Sequence, residues 1–172
     1  MSCRNGIEVG NPWILRQITQ ISQITELMEE KFKHGDLTDK IIGTFYEVYN
    51  ELGFGFLESV YEEAMIIALE AKGLKVEQQV PVPVWFRGRK VGSFEADLVV
   101  NTLVIIELKA AKAISERHIA QLLNYLRATE IEVGLVLNFG QRAEFRRQVF
   151  GNGRKKQPSE PKSLLDNLRS ED

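Results

Sequence analysis

Cysteine is almost absent from this sequence, because Cys3 is the single cysteine among 172 residues. One cysteine cannot form an internal disulfide, and its place near the amino terminus favours an incidental surface thiol over a catalytic one. The sequence also lacks an apolar run near the ~20 residues of a membrane span, and its first residues lack the basic and apolar regions of a signal peptide. We therefore expect a cytoplasmic protein that does not associate with membranes.

An excess of positive charge is missing as well. The chain has 22 Lys and Arg residues against 24 Asp and Glu residues, which gives a net charge of −2 at pH 7. The protein as a whole therefore lacks the net positive charge that would by itself indicate nucleic-acid binding. Any contact with a nucleic acid must come from a local basic patch.

What is present is the pattern of an ordinary globular domain. Apolar spacing predicts an N-terminal helical extension over residues 1–35, a main domain over residues 36–150 and a polar, disordered tail over residues 151–172. In the main domain we expect two helices, three strands, a crossover helix that begins after Ser115, and two further strands. This order predicts an α/β fold in which helices cover a sheet.

Some details of these elements can also be predicted. Asp36 or Thr38 is expected to cap the second helix, and Gly53 to end it. The third helix should present one apolar stripe to the core, formed by Val60, Ala64, Ile67 and Ala68. Pro81 and Pro83 lack the N–H donors of an inner strand, so the first strand is expected at a sheet edge.

The stretch that raises a functional question is ADLVVNTLVIIELKAAK, residues 96–112. Its two apolar runs are separated only by an Asn-Thr pair, which predicts a tight hairpin of two largely buried strands. The same stretch carries Asp97, Glu107 and Lys109. Charged side chains are almost never fully buried without a partner, so something must compensate these three.

A plausible register brings the three charges together. Pairing residues 98–100 with residues 103–105 places Asp97 close to Glu107, and strand alternation puts Glu107 and Lys109 on one face. Two carboxylates at one end of a hairpin could share a hard divalent ion such as Mg²⁺. An ordinary salt bridge of Lys109 with one acid explains the same loose spacing, and on the spacing alone it is the favoured interpretation.

Two helical segments add polar residues near this hairpin. GFLESVYEEA places Glu58 and Tyr61 on one helical face, and QLLNYL sets Gln121 and Tyr125 one turn apart. Both tyrosines are also compatible with ring burial in the core, and Gln121 with an ordinary polar position on a helix.

Taken together, five ordered motifs resemble the GxxExxY family of bacterial and archaeal proteins over about residues 36–150: GFLESVY, ADLVV, VIIELKA, AQLLNYL and GLVLNFG. That family belongs to the PD-(D/E)xK nuclease superfamily. The resemblance implies a restriction-endonuclease-like core, with a mixed four- to five-stranded sheet flanked by helices. It also implies a nuclease that uses Mg²⁺ or Mn²⁺ to hydrolyse phosphodiester bonds, with DNA favoured over RNA.

The resemblance assigns roles to single residues. The implied metal ligands lie on the central hairpin and are the side chains of Asp97 and Glu107 and the carbonyl of Leu108. The implied catalytic residues are Lys109 near the attacking water, Glu58 as an additional acid, and Gln121 and Tyr125 in support.

Basic residues at turns and edges are the candidates for phosphate contacts, although such positions are usually just solvated. They are Arg87, Arg89, Lys112, Arg117, Arg146 and Arg147.

Two rival interpretations remain open at the level of sequence. The chain could be a catalytically silent module that keeps the nuclease fold and binds nucleic acid or a protein partner. It could also be a homo-oligomer built through the first helix.

Overall fold

The structure is a computed structural model that describes residues 12–155, so the predicted tail from residue 156 onward lies outside the described residues. The chain divides into two compact units between Lys33 and His34. The first unit contains one described helix, α1 (Pro12–Phe32), which covers most of the segment predicted as helical. Among the described residues, no helix has the length and apolar character needed to cross a membrane.

The second unit is built on a five-stranded sheet with strand order β1-β2-β3-β4-β5. Strands β3 and β4 are parallel and the other neighbouring pairs are antiparallel. The elements follow each other as α2 (Gly35–Leu52), α3 (Glu58–Ala71), β1 (Val76–Phe86), β2 (Arg89–Val100), β3 (Val104–Lys109), α4 (Glu116–Ala128), β4 (Val133–Phe139), β5 (Ala143–Val149) and a short 3₁₀ turn (Asn152–Arg154).

Each face of the sheet has its own apolar core. On one face α2 and α3 pack through fully buried side chains such as Phe45 and Tyr61. On the other face α4 packs through Leu122 and Leu126. The structure confirms the predicted α/β fold, with a mixed sheet of five strands covered by helices. It also confirms β1, which contains both prolines, as an edge strand.

The ends of the helices were predicted only in part. Gly53 ends α2 with φ of 72°, and the Ser115 side chain caps α4 by accepting from the His118 N–H. The N-cap of α2 is His34, however, so the prediction of Asp36 or Thr38 was wrong. Thr38 lies inside the first turn, where its hydroxyl donates to the Gly35 carbonyl instead.

The predicted core stripe of α3 was right for Ala64 and Ala68, which pack against the core, but wrong for Val60 and Ile67. Val60 and Ile67 are 39% and 68% exposed, whereas Tyr61, Met65 and Leu69 are fully buried. Apolar residues surround most of this helix, so their spacing does not single out one face. The Tyr61 ring stacks on a β4 aromatic, with ring centroids 4.2 Å apart, and this contact helps to set the rotation of the helix.

The central hairpin has a longer turn than predicted. Val100 pairs with Val104 and Leu98 with Ile106, so the register predicted from a two-residue turn was off by one. Asn101 and Thr102 both adopt positive φ, and the Asn101 side chain accepts from the Lys75 N–H. The sequence signal identified the turn but not its third residue. The corrected register, continued by one step, sets Asp97 opposite Glu107.

Strand β2 extends beyond the end of its partner β3 at the end of the hairpin that carries the charges. Its pairing with β3 ends at Leu98, while its pairing with β1 continues to the turn at Phe86 and Arg89. The β1–β2 hairpin therefore extends past the end of β3. Gln79 has φ of 51°, and its pairing with Asp97 is missing from the ladder. Irregularities of this kind bend a strand and re-aim its side chains, and they are common near active sites.

Candidate active site

Three charged side chains of the central hairpin meet where β2 and β3 separate. Lys109 Nζ lies 3.1 Å from Glu107 Oε2 and 4.0 Å from Asp97 Oδ2. The Glu107 side chain is completely buried, whereas that of Asp97 is 30% exposed. The structure thus brings the two acids and the lysine together, and the ammonium of Lys109 balances part of their negative charge.

The separation of the two strands gives Asp97 an unusual partner. Its Oδ2 accepts a hydrogen bond of 2.6 Å from the backbone N–H of Leu108. This side chain replaces a ladder bond at the point where the pairing of β2 and β3 has stopped. Because the N–H and C=O of one strand residue point to the same side, the Leu108 carbonyl also faces β2. Two carboxylates and one carbonyl therefore lie close together.

Helix α4 supplies the polar contacts of Glu107. Gln121 Nε2 donates to Glu107 Oε2 at 3.0 Å and also lies 2.7 Å from the Tyr125 hydroxyl. These two residues are one helical turn apart, so their spacing directs both toward β3. The Tyr125 ring is buried, and its centroid lies 5.8 Å from that of Phe94 on β2. Gln121 and Tyr125 thus hold Glu107 in place.

Glu58 approaches the site from the other face of the sheet. It is the first residue of α3, and its Oε1 accepts from the backbone N–H of Ala110 at 3.0 Å. Ala110 directly follows Lys109, so this bond ties the start of α3 to the exit of β3. Glu58 is exposed, and its negative charge contributes to raising the pKa of Asp97.

Burial and repulsion by neighbouring carboxylates raise the pKa of both carboxyl groups. Burial, reinforced by the charge of Asp97, raises the pKa of Glu107 to about 7. Burial also raises the pKa of Asp97, although the hydrogen bond from Leu108 opposes this effect. Burial alone would lower the pKa of Lys109, but the charges of Glu107 and Asp97 outweigh it and raise that pKa. Lys109 is therefore an ammonium ion at neutral pH.

One buried oxygen of this cluster has no hydrogen-bond partner in the described part of the chain. Glu107 Oε1 is buried and has no hydrogen-bond partner among residues 12–155. Within the same residues, no group of three or more His, Cys, Asp or Glu side chains is arranged to hold a metal ion. A metal site here would therefore use two carboxylates and a carbonyl, completed by water or phosphate. That donor set fits Mg²⁺, which takes oxygen ligands and keeps several waters.

Two polar residues near the site escaped the sequence analysis. Glu62 is only 9% exposed, its Oε1 has no hydrogen-bond partner in the described chain, and burial raises its pKa. Its position four residues after Glu58 was a usable signal. Asn138 is fully buried and bonds both the N–H and the carbonyl of Ala111, each at 2.9 Å. No local pattern marks Asn138, because its partner is 27 residues away.

The basic residues predicted to contact phosphates are not one patch. Arg87 and Arg89 are exposed at the tip of the β1–β2 hairpin. Arg146 and Arg147 are adjacent on β5, so their side chains point to opposite faces of the sheet. Burial lowers the pKa of Arg147, and the negative charge of Asp39 on α2 partly offsets this effect.

Other basic residues lie at the same end of the sheet as Lys109. Lys112 follows in the loop after β3, and Arg117 is exposed in the first turn of α4. Because β3 and β4 are parallel, the β4–β5 turn also lies at this end. That turn contains Arg142, which is exposed.

Comparison with known proteins gives a family assignment. Residues 35–148 match the family model described as the PD-(D/E)XK nuclease superfamily. A similar solved structure, described as "Crystal structure of SSO0001", is 15% identical and aligns with 72% of this chain and 62% of that chain, with a TM-score of 0.43. The chain thus spans less than two thirds of that structure's length. No curated protein gives a significant match.

Proposed function

Because the chain belongs to the PD-(D/E)XK nuclease superfamily and has its α/β fold, we propose that it is a Mg²⁺-dependent nuclease that hydrolyses phosphodiester bonds in DNA. One observation carries the proposal. A completely buried carboxylate, Glu107, keeps one oxygen without a hydrogen-bond partner in the described residues, beside a second carboxylate. A buried oxygen of this kind is costly unless a ligand completes it.

The groups that would hold Mg²⁺ or Mn²⁺ are the carboxylates of Asp97 and Glu107 and the carbonyl of Leu108. When bound, such an ion polarises a phosphate and lowers the pKa of a bound water. The protein prepares the site through the Leu108 N–H, which fixes the Asp97 carboxylate with a 2.6 Å bond. Gln121 fixes Glu107 in the same way and leaves its second oxygen available.

Lys109 acts through its ammonium as a hydrogen-bond donor and a positive charge. Burial opposes this form, but in the metal-free protein the charges of Glu107 and Asp97 outweigh burial and raise the pKa of Lys109. Its ammonium can orient the attacking water and stabilise the negative charge that develops on the phosphate oxygens. Its Nζ lies 3.1 Å from Glu107 Oε2 and 4.0 Å from Asp97 Oδ2, so the ammonium lies beside both proposed metal ligands.

Glu58, Gln121 and Tyr125 serve this centre in different ways. Gln121 and Tyr125 are positioning residues that act through Glu107, because the Gln121 amide contacts both the Glu107 carboxylate and the Tyr125 hydroxyl. Glu58 is the additional acid of the site and orders the backbone that follows Lys109. The proposed phosphate contacts are the basic residues Arg87, Arg89, Lys112, Arg117, Arg142, Arg146 and Arg147.

Within the superfamily we assign the chain to the GxxExxY family. The three motif residues are Gly55, Glu58 and Tyr61. They lie in the turn before α3 and in the first turn of α3, which supports this assignment. Gly55 adopts φ of 108°, a backbone conformation that L-amino acids with side chains rarely adopt. The Tyr61 hydroxyl donates to the Gly53 carbonyl, and Glu58 reaches Ala110.

A cleavage assay tests the proposal. Purified protein is incubated with labelled single- and double-stranded DNA and RNA in Mg²⁺, in Mn²⁺ or in EDTA. We expect cleavage that requires a divalent ion and is lost in Lys109→Met. The control is Lys72→Met, which removes a lysine that pairs with Glu47 on the α2–α3 side of the domain. Binding without cleavage in either metal would favour a catalytically silent module.

A further inference from the structure

We infer that a pocket beside the proposed catalytic centre binds an unstacked nucleobase, so that single-stranded nucleic acid is the preferred substrate. This inference rests on the proposed nuclease function and specifies its substrate class. The pocket has a volume of about 550 Å³ and is open to solvent. Its walls are the Phe54–Phe56 turn, the loop 110–112 after β3, and residues 139–141 at the end of β4.

The pocket adjoins the catalytic centre. Its second wall begins at Ala110, which directly follows Lys109 and whose N–H is bonded to Glu58. A nucleotide next to a phosphate at the metal ion that Asp97 and Glu107 would hold would therefore lie close to this pocket.

Each of the three walls is fixed by a side chain from the core. The Tyr61 hydroxyl donates to the Gly53 carbonyl at 3.0 Å and accepts from the Phe56 N–H at 3.2 Å. Asn138 bonds both polar groups of the Ala111 backbone. The Tyr49 hydroxyl lies 3.0 Å from the carbonyls of both Gly140 and Gln141, and its single hydrogen is shared between them. The pocket is therefore formed in advance, which lowers the entropy cost of binding a ligand.

The rings at the first wall are exposed although the wall is rigid. Phe54 and Phe56 are 57% and 49% exposed, and Leu57 beside them is 76% exposed. Single exposed apolar residues are normal, but a contiguous group on a fixed turn marks a binding surface. A base that stacks on an aromatic side chain contributes about 1–3 kcal/mol to binding of single strands. These rings therefore suit the flat face of a base.

Charge favours a nucleic acid as the occupant. Lys112 is the one charged side chain among the described lining residues, and it is exposed at the rim. A single cation beside apolar rings complements a base that is attached to a phosphate. The polar groups of Ala111 and the Gly140 carbonyl already have protein partners. Few backbone groups are left to read base edges, so recognition should be independent of sequence.

Strand preference follows from stacking. A base in a duplex is already paired and stacked, and extracting it costs a few kcal/mol. A single strand offers its bases without this cost. The pocket should therefore select single strands, or frayed ends, over intact duplex.

The test is a binding measurement on the full-length protein in EDTA, which prevents metal-dependent cleavage. Fluorescence anisotropy is measured with a labelled oligothymidine and with the same strand annealed to its complement. The test variants are Phe54→Ala/Phe56→Ala and Phe54→Leu/Phe56→Leu. The control is Ile67→Ala, which truncates an exposed apolar residue farther along α3.

We expect the parent to bind the single strand more tightly than the duplex. The double alanine variant should lose at least about tenfold in affinity for the single strand. The leucine variant should not restore it, because leucine has no aromatic face, and Ile67→Ala should bind like the parent. Equal binding of both strand forms, unchanged affinity of the alanine variant, or full recovery with leucine would each overturn the inference.

The two proposals can fail separately. If the parent shows this binding pattern but cuts no substrate in Mg²⁺ or Mn²⁺, the nuclease activity is wrong and the base pocket stands. If the parent cuts but the phenylalanine variants bind and cut single strands like the parent, the base pocket is wrong and the nuclease activity stands.

Discussion

Glu107 and Lys109 lie two residues apart on β3, and the lysine Nζ is 3.1 Å from one oxygen of the glutamate while the other oxygen has no hydrogen-bond partner within residues 12–155. An ordinary salt bridge explains the first oxygen only. On the spacing alone, such a salt bridge was the favoured interpretation of these residues. The second oxygen is buried without a hydrogen-bond partner, and this favours a ligand site over a salt bridge alone.

The contact of Gln121 with Glu107 gives a first prediction. Gln121→Leu removes the amide that holds Glu107 and the Tyr125 hydroxyl. Loss of a residue that orients a metal ligand typically lowers metal affinity or activity by about 10–100-fold. We expect a reduction of this size in cleavage and in Mn²⁺ affinity measured by calorimetry. Asn124→Ala, an exposed position on the same helix, is the control and should leave both unchanged.

Glu62 gives a prediction about stability and pH. Burial raises its pKa, so near neutral pH the folded protein carries the cost of ionising it, whereas the unfolded chain does not. Below the ordinary pKa of a glutamate, both states are protonated and the cost disappears. Glu62→Gln should therefore increase the free energy of unfolding by about 1 kcal/mol at pH 7, and this gain should vanish near pH 4.

Denaturant unfolding at both pH values measures this effect. Glu70→Gln is the matched control, because Glu70 is exposed on the same helix and is not among the charges that raise the pKa of Glu62. An equal gain in both variants, or a gain for Glu62→Gln that persists at pH 4, would show that burial of the Glu62 charge is not its cause.

Gly140 gives a prediction about the close approach of two loops. A Cβ at Gly140 would lie 2.0 Å from the backbone oxygen of Ala111, so the loop after β3 would have to move. Gly140→Ala should lower the melting temperature by several degrees and reduce cleavage. Gly43→Ala is the control, because a Cβ at this helical position would meet no described atom within 4 Å apart from its chain neighbours and the backbone of its own helix. That control should be neutral or slightly stabilising, since alanine favours a helix.

The division of the chain gives a prediction about truncation. A protein that begins at His34 retains all of α2 to β5. We expect it to fold and to unfold cooperatively, with its cleavage activity intact and any loss confined to oligomeric state. Circular dichroism and size-exclusion chromatography measure both properties. A truncated protein without a cooperative transition would mean that α1 is required by the core.

The parts of the fold that were predictable have strong local signals. Ser115 was identified as a cap from its position before an apolar helix, and β1 as an edge strand from its prolines. The rotation of α3 was not predictable, because apolar residues lie on several sides and the burial of Tyr61 depends on the distant Phe139. The predicted register of the central hairpin was wrong for a similar reason. Its turn is stabilised by a hydrogen bond from the N–H of Lys75, which lies just before β1 and far away in the sequence.

The proximity of the two acids and the lysine was predictable, because charges inside apolar runs stand out in a sequence. What the sequence did not contain was the way in which these charges are satisfied. The bond from Leu108 N–H to Asp97 depends on where β2 and β3 separate, and the contact of Asn138 with Ala111 depends on the packing of β4. Both are consequences of long-range pairing.

The central claim is that Glu107 is a metal ligand, and calorimetric titration of Mn²⁺ into Glu107→Gln tests it most directly. Glutamine keeps the shape and can still accept from Lys109 and Gln121, but it removes the charge. We expect Mn²⁺ affinity to fall by at least about tenfold, while the metal-free variant remains at least as stable as the parent, because a buried charge with a raised pKa has been removed. If Glu107→Gln binds Mn²⁺ as tightly as the parent, the cluster is only a salt bridge at the end of a strand.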